Sequence, residues 1–185
     1  MKKSVFFVTR AALIAAAYFA LTTALKPVSF GPVQFRLSEA LVLLPVFMPE
    51  AVIGVSIGCF VSNFLYSTST VYDAIFGTVA TLVAAVLTYL LRRTKFLYAL
   101  PPLFLNAFLI PLIWIVDGSD AAYFVNFGLI LASETIVVCL IGLPFTVILR
   151  RTLARAGIAI YSRYKGMSAP AYRRLPRGNP GDDDE

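Results

Sequence analysis

The chain has 185 residues, of which 59% are hydrophobic and only 14% are charged, and its formal net charge is +6. The charged share is about half the roughly 25% of an average globular domain, so a water-soluble fold of this length could not bury the apolar surface. The composition therefore excludes an ordinary soluble domain and indicates an integral membrane protein. Because the basic residues flank apolar runs instead of forming one patch, it also argues against nucleic acid as a partner.

Six apolar runs separated by helix-breaking residues predict six transmembrane helices, at residues 5–25, 37–48, 51–66, 74–91, 96–116 and 123–149. The first run follows Lys2 and Lys3 but is longer than the apolar core of a signal peptide, so we predict that it remains as a span. The second run is short, contains Pro45 and stops at Pro49. It is compatible with a short tilted span or with half of a re-entrant hairpin.

The basic residues decide how many of these runs cross the membrane. With six spans and a cytoplasmic N-terminus, every lysine and arginine except Lys26 and Arg36 lies on the cytoplasmic side. With five spans, the basic loop 92–95 and the basic tail would lie outside. We therefore predict an all-α integral membrane protein with six transmembrane helices and both termini cytoplasmic. The predicted domains are a transmembrane substrate-binding domain at residues 1–155 and a disordered tail at 156–185, basic and then acidic, beside the lipid headgroups.

Polar residues from five of the predicted spans collect toward the outer side of the membrane, and they are Arg36, Glu39, Asn63, Asp73, Asn106 and Glu134. A charge at membrane depth costs roughly 2.5 to 3.5 kcal/mol on insertion scales, so such residues usually mark a pathway or a binding site. Simpler interpretations stay open: Asp73 as a helix cap, Arg36 and Glu39 as an interfacial ion pair, and Asn63 as a contact between helices. Glu134 is hardest to explain in this way, because it lies inside its span with no basic residue nearby.

The balance of charge in this cluster indicates the kind of ligand. Three carboxylates accompany one arginine, and such an acidic excess favours a cation or a molecule rich in N–H donors. The chain contains no histidine and no GxxxxGK[ST] phosphate-binding loop. We also expect no nucleophile elbow of the GxSxG type. We therefore predict that the chain is not an enzyme, with no catalytic residue, metal or cofactor of its own; Cys59 and Cys139 are interpreted as buried thiols.

Small residues form a stripe on the first span. Ala12, Ala16, Ala20 and Ala24 recur every four residues, and such a stripe lets a second helix approach closely in lipid. Because this span carries few polar groups, its stripe is a candidate contact with a partner subunit. Gly54, Gly58 and Ser62 form a similar stripe in the third span, for which packing within the protein is the ordinary interpretation.

The chain resembles the substrate-binding (S) components of energy-coupling factor (ECF) transporters, and among them the QueT group. The resemblance covers most of residues 8–150 and rests on residues 12–18, 29–41, Gly58-Cys59, Asn63, 73–82, Pro101-Pro102, Asn106 and Glu134. It implies a multi-pass protein of the bacterial plasma membrane that captures a queuosine precursor, a 7-deazaguanine, for an ABC-type importer. It also implies a coupling transmembrane subunit and two cytoplasmic ATPases as partners, with Ala12, Ala16 and Ala20 facing the coupling subunit.

If the chain is such a binding subunit, we expect the ligand to contact Arg36, Glu39, Asn63, Asp73, Asn106 and Glu134, with Gln34 shaping the lid-like first loop of the substrate site. An alternative function is compatible with the same polar residues. The chain would then be a self-sufficient, proton-coupled secondary transporter for a small cationic or heterocyclic solute, with Glu134 or Asp73 relaying the proton. A structural or assembly subunit, which would carry no ligand, is a third interpretation.

Overall fold

The computed structural model describes residues 2–30, 33–67, 70–116, 118 and 122–155, and the regular structure in these ranges is helical throughout. The elements are α1 (Lys2–Ala24), α2 (Lys26–Ser29), a 3-10 helix (Leu37–Val46), α3 (Glu50–Tyr66), α4 (Thr70–Tyr72), a π-helix (Asp73–Gly77), α5 (Thr78–Leu90), a 3-10 turn (Leu97–Ala99), α6 (Leu100–Val116), α7 (Tyr123–Thr135), a second π-helix (Ile136–Gly142) and α8 (Leu143–Arg155). The all-α class is thus confirmed for these ranges. The predicted tail, 156–185, lies outside the described residues.

Four helical segments are long and apolar enough to cross a membrane, and they are Ser4–Ala24, Asp73–Leu90, Leu97–Val116 and Tyr123–Leu153. Two shorter apolar helices, Leu37–Val46 and Glu50–Tyr66, stand where the second and third spans are predicted. Helices therefore occupy all six apolar runs of the sequence. The count of six spans and the cytoplasmic position of the termini stay predictions.

The second apolar run forms a 3-10 helix at the centre of the bundle. Most of its ten residues are buried, and Val42 and Leu43 are completely so. It contacts α1, α3, α5, α8 and the second π-helix. A 3-10 helix rises about 2.0 Å per residue, compared with 1.5 Å in an α-helix, so ten residues extend about 20 Å. This element therefore reaches deep into the bundle and carries Glu39 with it.

Helices α1 and α3 pack closely because glycines of α3 face α1. A Cβ atom on Gly54 would lie 2.7 Å from the carbonyl oxygen of Ala11, and one on Gly58 would lie 2.7 Å from the Cβ of Tyr18. Only glycine allows the backbones to approach this far. The small-residue stripe of the third span therefore packs within the protein, and this interpretation of it is confirmed.

The two faces of α1 have different surroundings. Tyr18 and Thr22 are buried against the bundle, whereas Ala12, Ala16 and Ala20 are exposed. Near its beginning, α1 is also joined to α3 by a salt bridge of 3.0 Å between Arg10 and Glu50. The alanine stripe is therefore available to a neighbouring molecule.

The expected absence of a GxSxG spacing is wrong, because Gly54-Val55-Ser56-Ile57-Gly58 has it. The run lies within α3 and not at a strand-to-helix turn, which a nucleophile elbow requires. The Ser56 hydroxyl donates to the carbonyl of Val52 at 2.8 Å, within the same helix. The spacing therefore supports helix packing and no catalytic nucleophile.

Candidate binding site

The 3-10 helix places Glu39 against α1. The Tyr18 hydroxyl donates to Oε1 of Glu39 at 2.5 Å, and the Thr22 hydroxyl donates to Ser38 Oγ at 2.7 Å. Glu39 is 1% exposed, and its other oxygen, Oε2, is buried with no hydrogen-bond partner. Helix α1 thus holds one carboxylate oxygen and leaves the other available.

Helices α6 and α7 hold a second buried carboxylate that has one oxygen paired and the other unpaired. Asn106 Nδ2 donates to Oε1 of Glu134 at 2.9 Å, while Oε2 of Glu134 is buried with no partner. Glu134 stands one residue before the end of α7, next to the second π-helix. Turns of π-helix occur frequently at functional sites. The Asn106 side chain also neighbours Glu39.

A third free acceptor lies on α3. Asn63 Nδ2 donates to the carbonyl of Asp73 at 2.9 Å and to Cys59 Sγ at 3.4 Å, and Oδ1 is buried with no partner. The Asp73 carboxylate, in the first π-helix, accepts a hydrogen bond from the hydroxyl of Ser67, which follows the end of α3. The interpretation of Asp73 as a helix N-cap is wrong, because the helix already begins at Thr70 and Asp73 lies within it.

Gln34 and Arg36 belong to the segment before the 3-10 helix. Gln34 has a positive φ of 46°, which is uncommon for a residue other than glycine, and its Oε1 is buried with no partner. The Arg36 Nε donates to the carbonyl of Ser29 at 3.3 Å, and the guanidinium lies 4.9 Å from the centre of the Phe30 ring. Arg36 therefore turns back toward the end of α2.

The ion pair that the spacing of Arg36 and Glu39 allows does not form between these two described residues. A spacing of three brings side chains together only on a continuous helix. Arg36 has extended backbone angles, φ −104° and ψ 97°, and precedes the 3-10 helix instead of belonging to it. Glu39 is paired with Tyr18 instead.

These groups form one connected site. Electrostatic interactions link Glu134, Glu39 and Arg36, and Cys59 neighbours both Tyr18 and Asn63. The structure thus brings together the predicted residues of the 3-10 helix, α3, α6 and α7. The sequence interpretation missed Tyr18, which lies on the face of α1 opposite the alanine stripe, and Cys59, which it treated as an inert thiol.

The shared property of the site is a set of buried acceptor oxygens without donors. They are Glu39 Oε2, Asn63 Oδ1 and Glu134 Oε2, and Gln34 Oε1, in the segment before the 3-10 helix, is buried without a partner as well. The hydroxyl oxygens of Thr23, Ser29 and Thr78 are also buried without a hydrogen-bond partner. Each unsatisfied buried acceptor costs about 1 to 3 kcal/mol, and more when it is charged. A ligand that supplies several N–H groups would recover this energy, so the site is suited to a donor-rich molecule.

Comparisons with known proteins also indicate a transporter. The family described as QueT transporter matches residues 8–151. A queuosine precursor transporter QueT from Lactococcus lactis subsp. cremoris (strain MG1363) is 43% identical over 86 residues, which is 45% of this chain and 50% of that protein. The match thus spans about half the length of that curated relative. No solved structure matches the chain.

Proposed function

This chain belongs to the QueT transporter family, and from this premise we propose that it binds a queuosine precursor of the 7-deazaguanine type at the outer face of the membrane. In the proposal it is the S component of an ECF importer and delivers the precursor inward. ATP is hydrolysed by two partner ATPases, because the chain has no phosphate-binding loop.

The observation that carries this proposal is the set of free acceptors on Glu39, Asn63 and Glu134. A 7-deazaguanine offers N–H donors along its pyrimidine edge and on its pyrrole ring. Carboxylate oxygens accept from such donors in charge-assisted bonds, which are about twice as strong as neutral ones. A 7-aminomethyl group would add a cation, which the two buried carboxylates would attract.

Binding is tested by native mass spectrometry of the protein purified from bacterial membranes, followed by calorimetric titration with 7-aminomethyl-7-deazaguanine. We expect a co-purified species with the mass of a 7-deazaguanine and saturable binding after it is removed. Riboflavin and thiamine serve as comparison ligands in the same titration. A bound flavin or thiamine in the purified protein would overturn the deazaguanine assignment.

The coupling subunit is proposed to contact the exposed alanine face of α1. Ala16→Trp would block close approach of another helix at this face. Because Ala16 points away from Tyr18 and the site, calorimetric binding should stay unchanged while ATP-dependent uptake into cells is lost. Val125→Trp is the control, since Val125 on α7 is also exposed, at 63%. Normal uptake by the Ala16→Trp variant would exclude this face as the contact.

A proton-coupled carrier is the second candidate, favoured by two buried carboxylates, Glu39 and Glu134, that both neighbour the amide of Asn106. Such groups serve as proton relays in many transporters. Uptake is therefore measured in cells that lack ECF coupling and ATPase subunits. Uptake that persists there and collapses with an uncoupler would favour the carrier, and its complete loss would favour the S component.

A further inference from the structure

We propose that Cys59 is a positioning residue that fixes Asn63 as a hydrogen-bond acceptor toward the ligand. The inference rests on the proposed function, because it assigns a role within the same binding site. Cys59 is 1% exposed and lies one helical turn before Asn63 on α3. Its sulfur accepts the second N–H of the Asn63 amide, so that Oδ1 is the one polar atom of this side chain left without a partner.

The amide of Asn63 has only one orientation that satisfies its neighbours. Its Nδ2 is 2.9 Å from the carbonyl oxygen of Asp73, a group that can only accept. If the amide were turned over, two acceptor oxygens would face each other at that distance. The nitrogen therefore points at Asp73, and its second N–H is available to Cys59 Sγ, 3.4 Å away. Both donors are used within the protein, which leaves Oδ1 for the ligand.

The sulfur is itself held in place from two sides. The Thr81 hydroxyl donates to Cys59 Sγ at 3.2 Å, and the thiol lies 3.8 Å from the carbonyl of Gly77, to which it donates. With its S–H directed at Gly77, the sulfur presents lone pairs to Asn63. The hydrogen bond from Thr81 prevents the thiol from turning away. Cys59 thus connects α3 to α5 through the same atom that receives the Asn63 amide.

Gly77 allows the Asn63 amide to lie directly against the backbone of the first π-helix. A Cβ atom at this position would lie 2.8 Å from Asn63 Nδ2, too close for both groups to remain in place. The first π-helix ends at Gly77 and begins at Asp73. It therefore supplies the carbonyl groups that receive the Asn63 amide and the Cys59 thiol, together with the space that the amide occupies. As a consequence, Asn63 can accept a hydrogen bond from the ligand but cannot donate one to it.

The positioning contact is tested without ligand through the S–H stretching band in the infrared spectrum. Subtracting the spectrum of Cys59→Ala from that of the wild type isolates the band of Cys59, and Cys139→Ala isolates the band of the other thiol. We expect the Cys59 band to shift in Asn63→Ala and in Thr81→Val, while the Cys139 band stays in place. A Cys59 band that is unchanged in Asn63→Ala would overturn the inference, whatever the ligand proves to be.

The consequence for binding is tested by a double-mutant cycle with 7-aminomethyl-7-deazaguanine as the titrated ligand. Cys59→Ala should weaken binding about three- to tenfold, the effect of one neutral hydrogen bond, and Cys59→Ser should restore most of the affinity. In the Asn63→Ala background, Cys59→Ala should cause no further loss. Losses that add fully would show that Cys59 acts independently of Asn63.

Controls separate positioning from folding and from the proposed function. Cys139→Ala, at the less buried cysteine, should bind as tightly as the wild type. The unfolding midpoint in detergent is recorded for each variant, and Cys59→Val, which also lacks an acceptor, replaces Cys59→Ala if the latter does not fold. If the wild type binds no deazaguanine, the proposed function fails, while the infrared measurement still decides whether Cys59 orients Asn63.

Discussion

Glu134→Gln is the most direct test of the binding site. The substitution keeps the shape of the side chain and removes its charge. In the wild type, Oε1 accepts from Asn106 and Oε2 is the free acceptor. In the variant, one of these two places must be taken by an NH₂ group. A donor then faces either the Asn106 amide or the N–H group of the ligand.

The size of the effect follows from the kind of hydrogen bond that is lost. A hydrogen bond to a charged group contributes about 1.5 to 3 kcal/mol. Each 1.4 kcal/mol is about a factor of ten in affinity, so the dissociation constant should rise about 10- to 150-fold. The free energy of unfolding without ligand should not fall, because the variant no longer buries an incompletely paired carboxylate. Loss of affinity with preserved stability distinguishes a ligand contact from a packing residue.

The measurement is calorimetric titration with 7-aminomethyl-7-deazaguanine, together with denaturant unfolding in detergent. Glu50→Gln is the matched control, since Glu50 is also a buried acid but pairs with Arg10. That salt bridge should contribute at most about 1 kcal/mol to stability, because the Arg10 side chain is 57% exposed. Unchanged affinity in Glu134→Gln, or an equal loss in Glu50→Gln, would refute the assignment of Glu134 to the site.

Three further predictions concern α1, α3 and the segment before the 3-10 helix. Tyr18→Phe removes the donor that holds Glu39 and should weaken binding about three- to tenfold by calorimetry; full affinity would mean that this contact does not position the carboxylate. Gln34→Gly relieves the strain of the positive φ and removes the unpaired Oε1. The unfolding free energy should therefore rise by about 1 kcal/mol, while binding measured by calorimetry weakens. A fall in both the unfolding free energy and the affinity would contradict this prediction. Gly58→Ala should lower the unfolding free energy by about 1 to 3 kcal/mol, whereas Gly128→Ala, with open space around it, should not; equal effects would argue against tight packing of α1 on α3.

The helical runs were predictable because transfer into lipid depends on residue type and run length. The six predicted runs coincide with helices in the structure, and the two shortest are the two that fall below the length of a full span. Periodicity did not predict that Leu37–Val46 winds as a 3-10 helix, nor that π-helices stand at Asp73–Gly77 and Ile136–Gly142. These windings arise from packing against neighbouring helices, which an apolar run does not encode.

The candidate site was partly predictable from depth in the membrane. Glu39, Asn106 and Glu134 were singled out because charged and amide groups are costly there, and the structure brings them together. The pairing of Arg36 with Glu39 was inferred from a helical spacing, and it fails because the helix begins after Arg36. Tyr18 and Cys59 were missed because each is unremarkable in an apolar run until its partner is known.

By itself, the sequence determined that the solvent of this chain is lipid, which stretches of it are helical, and which polar side chains lie within the apolar runs. These properties depend on residue type and local order. Only the tertiary structure decided which oxygen of each side chain is satisfied and which is left for a ligand. That choice depends on contacts between residues distant in the chain, such as Tyr18 with Glu39 and Asn106 with Glu134, which form only when the helices pack.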